Sequence, residues 1–136
     1  MIHPSRDRLA FELQGGLEAA AAARRAIIAG NGWLPDTVRE EVLLLVTELV
    51  TNAVRHAGAG PERSLHVELL HSPGWVAVAV ADDGPGYTWH QTPSPGNESG
   101  GWGLFLVDRI ADRWGAESTT DRNRVWFEIA YEDVGR

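Results

Sequence analysis

Between Leu65 and Ala81 the hydrophobic pattern takes a period of two, and this constrains the fold more than any other feature of the chain. Leu65, Val67 and Leu69 alternate with His66 and Glu68, as a half-buried strand requires. His71-Ser72-Pro73-Gly74 then turns the chain into Trp75-Val76-Ala77-Val78-Ala79-Val80-Ala81, so the segment predicts a hairpin. Its second limb is apolar on both faces. That limb predicts a central strand, whose alanines permit another group to approach closely.

The flanking segments supply the rest of a sheet and its cover. Residues 1–8 read as loosely held, Leu9–Leu13 as a short first strand, and Gly15-Gly16 as the break before an alanine-rich helix over 17–29. Gly30-Asn31-Gly32 ends that helix. Pro35-Asp36-Thr37 opens the longest helical pattern, with Asp36 as N-cap and Gly58-Ala59-Gly60-Pro61 as the next break. On this helix Val42, Val46, Leu49, Val50, Ala53 and Ala57 form one apolar face, and Glu48, Asn52 and Arg55 lie opposite. Leu44 and Leu45, one turn before Glu48, indicate that something covers part of that second side. Residues 87–100 lack periodicity and read as a lid. A helix over 102–112 and strands over 114–119 and 125–130 close the chain, Val125, Phe127 and Ile129 sharing a face. Three helices against four or five strands predict an α/β two-layer sandwich, with the helices on one face of a mixed, mostly antiparallel sheet.

Length and charge narrow the function classes. At 136 residues, with no internal repeat or linker, the chain reads as a single domain over 1–136. Its longest apolar runs, 42–46 and 75–81, fall far short of the ~20 residues that span a bilayer, and no cysteine is present, so a cytoplasmic location is expected. The net charge is −7 and every cationic residue other than histidine is arginine, which argues against direct nucleic acid binding through a basic surface. A phosphate ligand would need backbone N–H groups, a helix end, a few arginines or a divalent cation.

Three short motifs carry chemistry. Glu48 and Asn52, four apart, fall on adjacent turns of one helix, where the carboxamide can offer an oxygen to Mg²⁺ and the carboxylate can accept a proton. Asp82-Asp83-Gly84-Pro85-Gly86 ends the apolar strand; its first carboxylate can accept from an exocyclic amine, and its glycines allow a tight backbone beside a flat ligand. Gly100-Gly101-Trp102-Gly103-Leu104 stands at a helix start, where successive N–H groups can meet a phosphate without net positive charge. Singly, each has an ordinary alternative: a solvated helix face, a strand-ending turn and a hinge.

In combination and in this order, they resemble the N-box, G1 box and G2 box of the GHKL family of ATP-binding domains. Within that family the chain looks most like the anti-sigma factor type serine/threonine protein kinases. Residues 48–57, 82–86, 101–107 and 111–115 carry the resemblance, which covers about 11–129. It implies the Bergerat ATP-binding fold with ATP and Mg²⁺ as cofactors. By resemblance, Asn52 would coordinate the metal and Asp82 would read the adenine amino group. Gly84 and Gly86 would form the adenine-side turn, and Gly101, Gly103 and Leu104 the phosphate side. Glu48 would be the general base toward a serine of an anti-anti-sigma antagonist, whose phosphorylation leaves a sigma factor sequestered and so regulates transcription. A second copy of the chain is a further partner suggested by such relatives. The alternative is a non-catalytic ATP-binding module that switches protein association. Two places depart from the pattern: Trp102 stands where arginine is often found in the G2 box, and Asn123-Arg124-Val125-Trp126 stands where such members carry a Gly-Lys/Thr-Thr-Val-Trp-like entry to the last strand, whose threonine assists at adenine.

Overall fold

The computed structural model describes residues 7–30, 34–56, 63–83, 102–119 and 122–132. Along the chain these form β1 (Asp7–Gln14), α1 (Ala19–Gly30), α2 (Asp36–His56), β2 (Ser64–Ser72), β3 (Trp75–Asp82), α3 (Trp102–Ile110), β4 (Arg113–Ser118) and β5 (Asn123–Ala130). The strands make one sheet in the order β1-β2-β3-β5-β4, and all four pairings are antiparallel. The limb that is apolar on both sides is therefore the middle strand of five. The hairpin turn is tighter than expected: Ser72 already pairs with Trp75, and Gly74 takes a φ of 81°, which its lack of a Cβ allows.

Alternation sorts each strand into a covered and an open face. Leu65, Val67 and Leu69 of β2, Val76, Val78 and Val80 of β3, and Val125, Phe127 and Ile129 of β5 are buried together with Val42, Leu45, Val46, Leu49 and Val50 of α2. Full burial of such side chains contributes roughly 1.5–3 kcal/mol each, so this layer dominates the fold's stability. α1 and α3 both pack against α2, and α1 also meets β1. The approach of α1 to β1 is close enough that a Cβ at Gly30 would lie 2.9 Å from Leu9 Cδ1. A side chain at position 30 would therefore require the Leu9 side chain to shift.

Three expectations change at the ends of elements. Asp7 and Arg8 are not loose: they pair with His71 and Leu70, and Arg8 forms an ion pair with Glu68. Pro35 accepts the Arg39 N–H through its carbonyl, so Asp36 occupies the first helical position, where it pairs with Arg39, and is not the cap. α3 stops at Ile110 because the Asp112 N–H turns to the Glu128 carbonyl of the sheet. Among the described residues no helix is long and apolar enough to cross a membrane.

Candidate functional site

Period two determines where Asp82 points. It follows Val76, Val78 and Val80 on the same face of β3, so its carboxylate lies on the helix side of the sheet and is 2% exposed. Its register partner on β5 is Asn123, also 2% exposed, and Asn123 in turn pairs with Ser118 of β4. These side chains form a directed chain: the Ser118 hydroxyl donates to Asn123 Oδ1 at 2.9 Å, and Asn123 Nδ2 donates to Asp82 Oδ1 at 3.0 Å. A donor on one side and an acceptor on the other fix which way the Asn123 amide faces. The Arg63 guanidinium lies 3.7 Å from the same carboxylate oxygen. Buried charge is costly unless paired, and these two donors are what permit a carboxylate here.

Above Asp82 the sheet does not close fully against α2. A recess of about 10 Å³ is lined by Leu49 and Ala53 of α2, by Val80 and Asp82 of β3, and by Asn123, Arg124 and Val125 of β5. It has apolar walls and a polar floor, and at this volume it has room for about one water molecule, so it marks a gap between α2 and the strands and not a ring-sized pocket. A carboxylate has about four acceptor directions, so Asp82 can take a hydrogen bond from Asn123 and another from a ligand N–H. The larger grooves, of about 560 and 310 Å³, lie on the opposite face of the sheet and contain neither Asp82 nor α2.

The other anticipated residues fall as follows. Asn52 is only 4% exposed, so the side of α2 opposite its apolar face is covered at this residue, as Leu44 and Leu45 indicated. The reason is that α2 is held between α1, α3 and β3, so the apolar contacts wrap around more of the helix than one stripe. Glu48, one turn earlier, is half-buried, and Leu44 is 38% exposed beside fully buried Leu45. Leu104 is buried in α3 and does not line the recess; Gly103 lies in the first turn of that helix. Gly84, Gly86, Gly101 and the lid over 87–100 lie outside the described residues. Ser118 and Arg63 were not anticipated as site residues, and Asn123 enters the sequence reading only as a departure from the family's pattern at the entry to the last strand. Only the strand order could have revealed them, because Asn123 is 41 residues from Asp82 in the chain.

For a metal, the donor set gives a clear answer. Among the described residues no group of three or more histidine, aspartate or glutamate side chains could hold an ion. Asn52 alone offers one neutral oxygen. That fits Mg²⁺ arriving with a nucleotide, since this ion keeps waters and takes phosphate oxygens together with one or two protein ligands.

Residues 13–129 match the histidine kinase-like ATPase domain family, and the chain belongs to that GHKL-type, ATP-binding family. An uncharacterized protein of Streptomyces coelicolor is 35% identical over 89 residues, covering 64% of this chain and 83% of that one. Among solved structures, the histidine kinase domain of a blue-light activated histidine kinase from Erythrobacter litoralis EL346 superposes with a TM-score of 0.54 at 23% identity, over 84% of this chain. The chain spans 58% of that structure's length, and at this identity the likeness speaks for the fold.

Proposed function

We propose that this chain is an anti-sigma factor type serine/threonine protein kinase that binds Mg·ATP and phosphorylates an antagonist protein, thereby regulating the availability of a sigma factor. The observation that carries the reading is the Asp82–Asn123 pair beneath Leu49 and Ala53, with Glu48 and Asn52 on that same helix. Asp82 accepts from the adenine amino group, and Leu49, Ala53 and Val80 pack beside the ring. When bound, Mg²⁺ neutralises charge on the phosphates, and Asn52 is the residue that would hold it. Glu48 takes the proton of the substrate serine as its Oγ bonds to the γ-phosphorus. The bond from that phosphorus to the bridging oxygen breaks, and ADP leaves.

The test is transfer of labelled γ-phosphate from ATP to the cognate antagonist. In Glu48→Ala, transfer is expected to fall by about 10²–10⁴-fold, the usual contribution of a general base, while nucleotide binding followed by tryptophan fluorescence persists. Transfer equal to wild type would remove Glu48 from that role. A second reading, an ATP-binding switch without chemistry, is favoured by one sequence feature: Tyr87 to Gly101 holds no lysine or arginine to meet the phosphates. Saturable ATP binding that alters partner affinity, with no phosphoserine formed, would select it.

A further inference from the structure

Two donors converge on one oxygen of Asp82. Asn123 Nδ2 lies 3.0 Å from Oδ1, and the Arg63 guanidinium lies 3.7 Å from that same atom. A carboxylate oxygen has two lone pairs, so these two partners take up the accepting capacity of Oδ1. The strand order explains how Asn123 comes to be there. Because β5 lies between β3 and β4, Asn123 stands opposite Asp82 on one side and Ser118 on the other, and its side chain bridges the two. The Ser118 hydroxyl donates to Asn123 Oδ1 at 2.9 Å, which turns the amide nitrogen, and not the amide oxygen, toward the carboxylate. Asp82 and Asn123 also line the gap beneath Leu49 and Ala53 together, so the amide stands beside whatever meets that carboxylate.

On the reading of Asp82 as the group that meets the base, we propose that Asn123, held by Ser118 and aided by Arg63, sets which purine the site accepts. It confines Asp82 to at most one hydrogen bond with the base, through Oδ2, and so turns guanine away. A carboxylate with both oxygens open is a fork acceptor and suits a ligand that carries two donors side by side. The base-pairing edge of guanine is such a ligand, with N1–H next to the 2-amino group. At Asp82 the second of these donors would be aimed at an oxygen that already holds two donors, one of them a cation. It would lose its water without gaining a partner, and an unpaired polar group is what lets a site reject an analogue.

Adenine makes no such demand, because N1 beside its 6-amino group is an acceptor and carries no hydrogen. One oxygen of Asp82 is then enough. Asn123 is a positioning residue in this scheme, since it acts on the base through the carboxylate. A carboxylate without that neighbour accepts from either purine, so the burial of Asp82 does not by itself select between them.

Calorimetric titration of the full chain with the Mg²⁺ complexes of ATP, GTP and ITP tests this, since ITP carries the N1–H of guanine without its 2-amino group. The wild type should bind ATP at least about tenfold more tightly than GTP, the worth of one hydrogen bond to a charged acceptor. Asn123→Ala opens one direction at Oδ1. GTP should then bind about tenfold more tightly than it does to the wild type, while ATP binds no better and ITP gains less than GTP. A fold merely loosened by the substitution would weaken all three. Ser118 sits on the exposed side of the pair, so its variants keep the fold and give an independent reading. Ser118→Ala should strengthen GTP binding by about threefold, and Ser118→Thr, which keeps the hydroxyl, should hold the wild-type ratio. An unchanged ratio in Ser118→Ala removes Ser118 from the role. Equal affinity of the wild type for ATP and GTP, or an unchanged ratio in Asn123→Ala, overturns the assignment while ATP binding stands. Binding of none of the three nucleotides overturns the ATP reading, and the assignment with it.

Discussion

The helix-covered face of the sheet carries a buried polar pair near each of its ends, and the two differ in what surrounds them. At one end Asp82 accepts from Asn123; at the other, His71 on β2 hydrogen-bonds the Tyr131 hydroxyl at 2.6 Å, with Asp7 Oδ2 at 3.7 Å from its other ring nitrogen. Both Asp82 and His71 are buried, at 2% and 6% exposure, and both interrupt an otherwise aliphatic row of their strand. The first pair floors a recess against α2, next to the turn of helix that holds Asn52. The second is a closed pair: the imidazole and phenol rings meet edge to edge through the hydrogen bond, with planes 6° apart and centroids 6.2 Å apart, and the Tyr131 N–H is bonded to the Gly74 carbonyl. Burial of a polar side chain is therefore not in itself a sign of a binding site. A neighbouring recess with apolar walls makes the difference.

The largest effect separating the two ends is expected at Asp82. Asp82→Asn keeps the size and one acceptor oxygen, so Asn123 retains its partner and the fold persists. The variant loses the charged acceptor, and hydrogen bonds to charged groups contribute about 1.5–3 kcal/mol. Affinity for Mg·ATP, measured by calorimetry, should fall about 10- to 100-fold. Unchanged affinity would show that the recess is not where the base is read.

Asn123→Ala probes the support of that carboxylate. It removes one buried donor to Asp82 and the acceptor of Ser118, and a lost partner for buried polar groups costs about 1–3 kcal/mol. Chemical denaturation should show this loss with an unchanged m-value. Nucleotide affinity should fall as well, by less than in Asp82→Asn, because Arg63 still faces the carboxylate. A stability loss without any change in affinity would place Asn123 with the His71 end, as a structural pair.

What could be read from the sequence followed from periodicity, which is local. The alternation over 65–81 located the hairpin and the central strand, and the chain's own order placed Asp82 at that strand's end. The partners of Asp82 could not be read this way. Asn123 reaches it only because β5, not β4, lies beside β3, and strand order is a tertiary property. That something covers the Asn52 side of α2 was legible from Leu44 and Leu45, but what covers it was not, because α2 has α1, α3 and β3 around it and a helical wheel names no neighbour. The alanines of β3 were expected to admit a close approach, but among the described elements none makes one, since they line grooves on the face the helices leave open.

The smallest expected effect is at the opposite end of the sheet, and it tests whether the two ends are separate. Tyr131→Phe removes the hydroxyl that bonds His71 Nε2 and leaves the rest of the aromatic ring in place. A single neutral hydrogen bond contributes about 0.5–1.5 kcal/mol, so the midpoint of denaturation should fall slightly. Mg·ATP affinity should stay at the wild-type value, because nothing around Tyr131 lines the recess. If affinity fell with stability, the two polar pairs would be coupled through β3 and β5, and the distinction drawn here between a site and a clasp would fail. If stability held as well, the packing of the aromatic ring and the Gly74 contact would be sufficient to hold that end, and the hydrogen bond would be incidental to it.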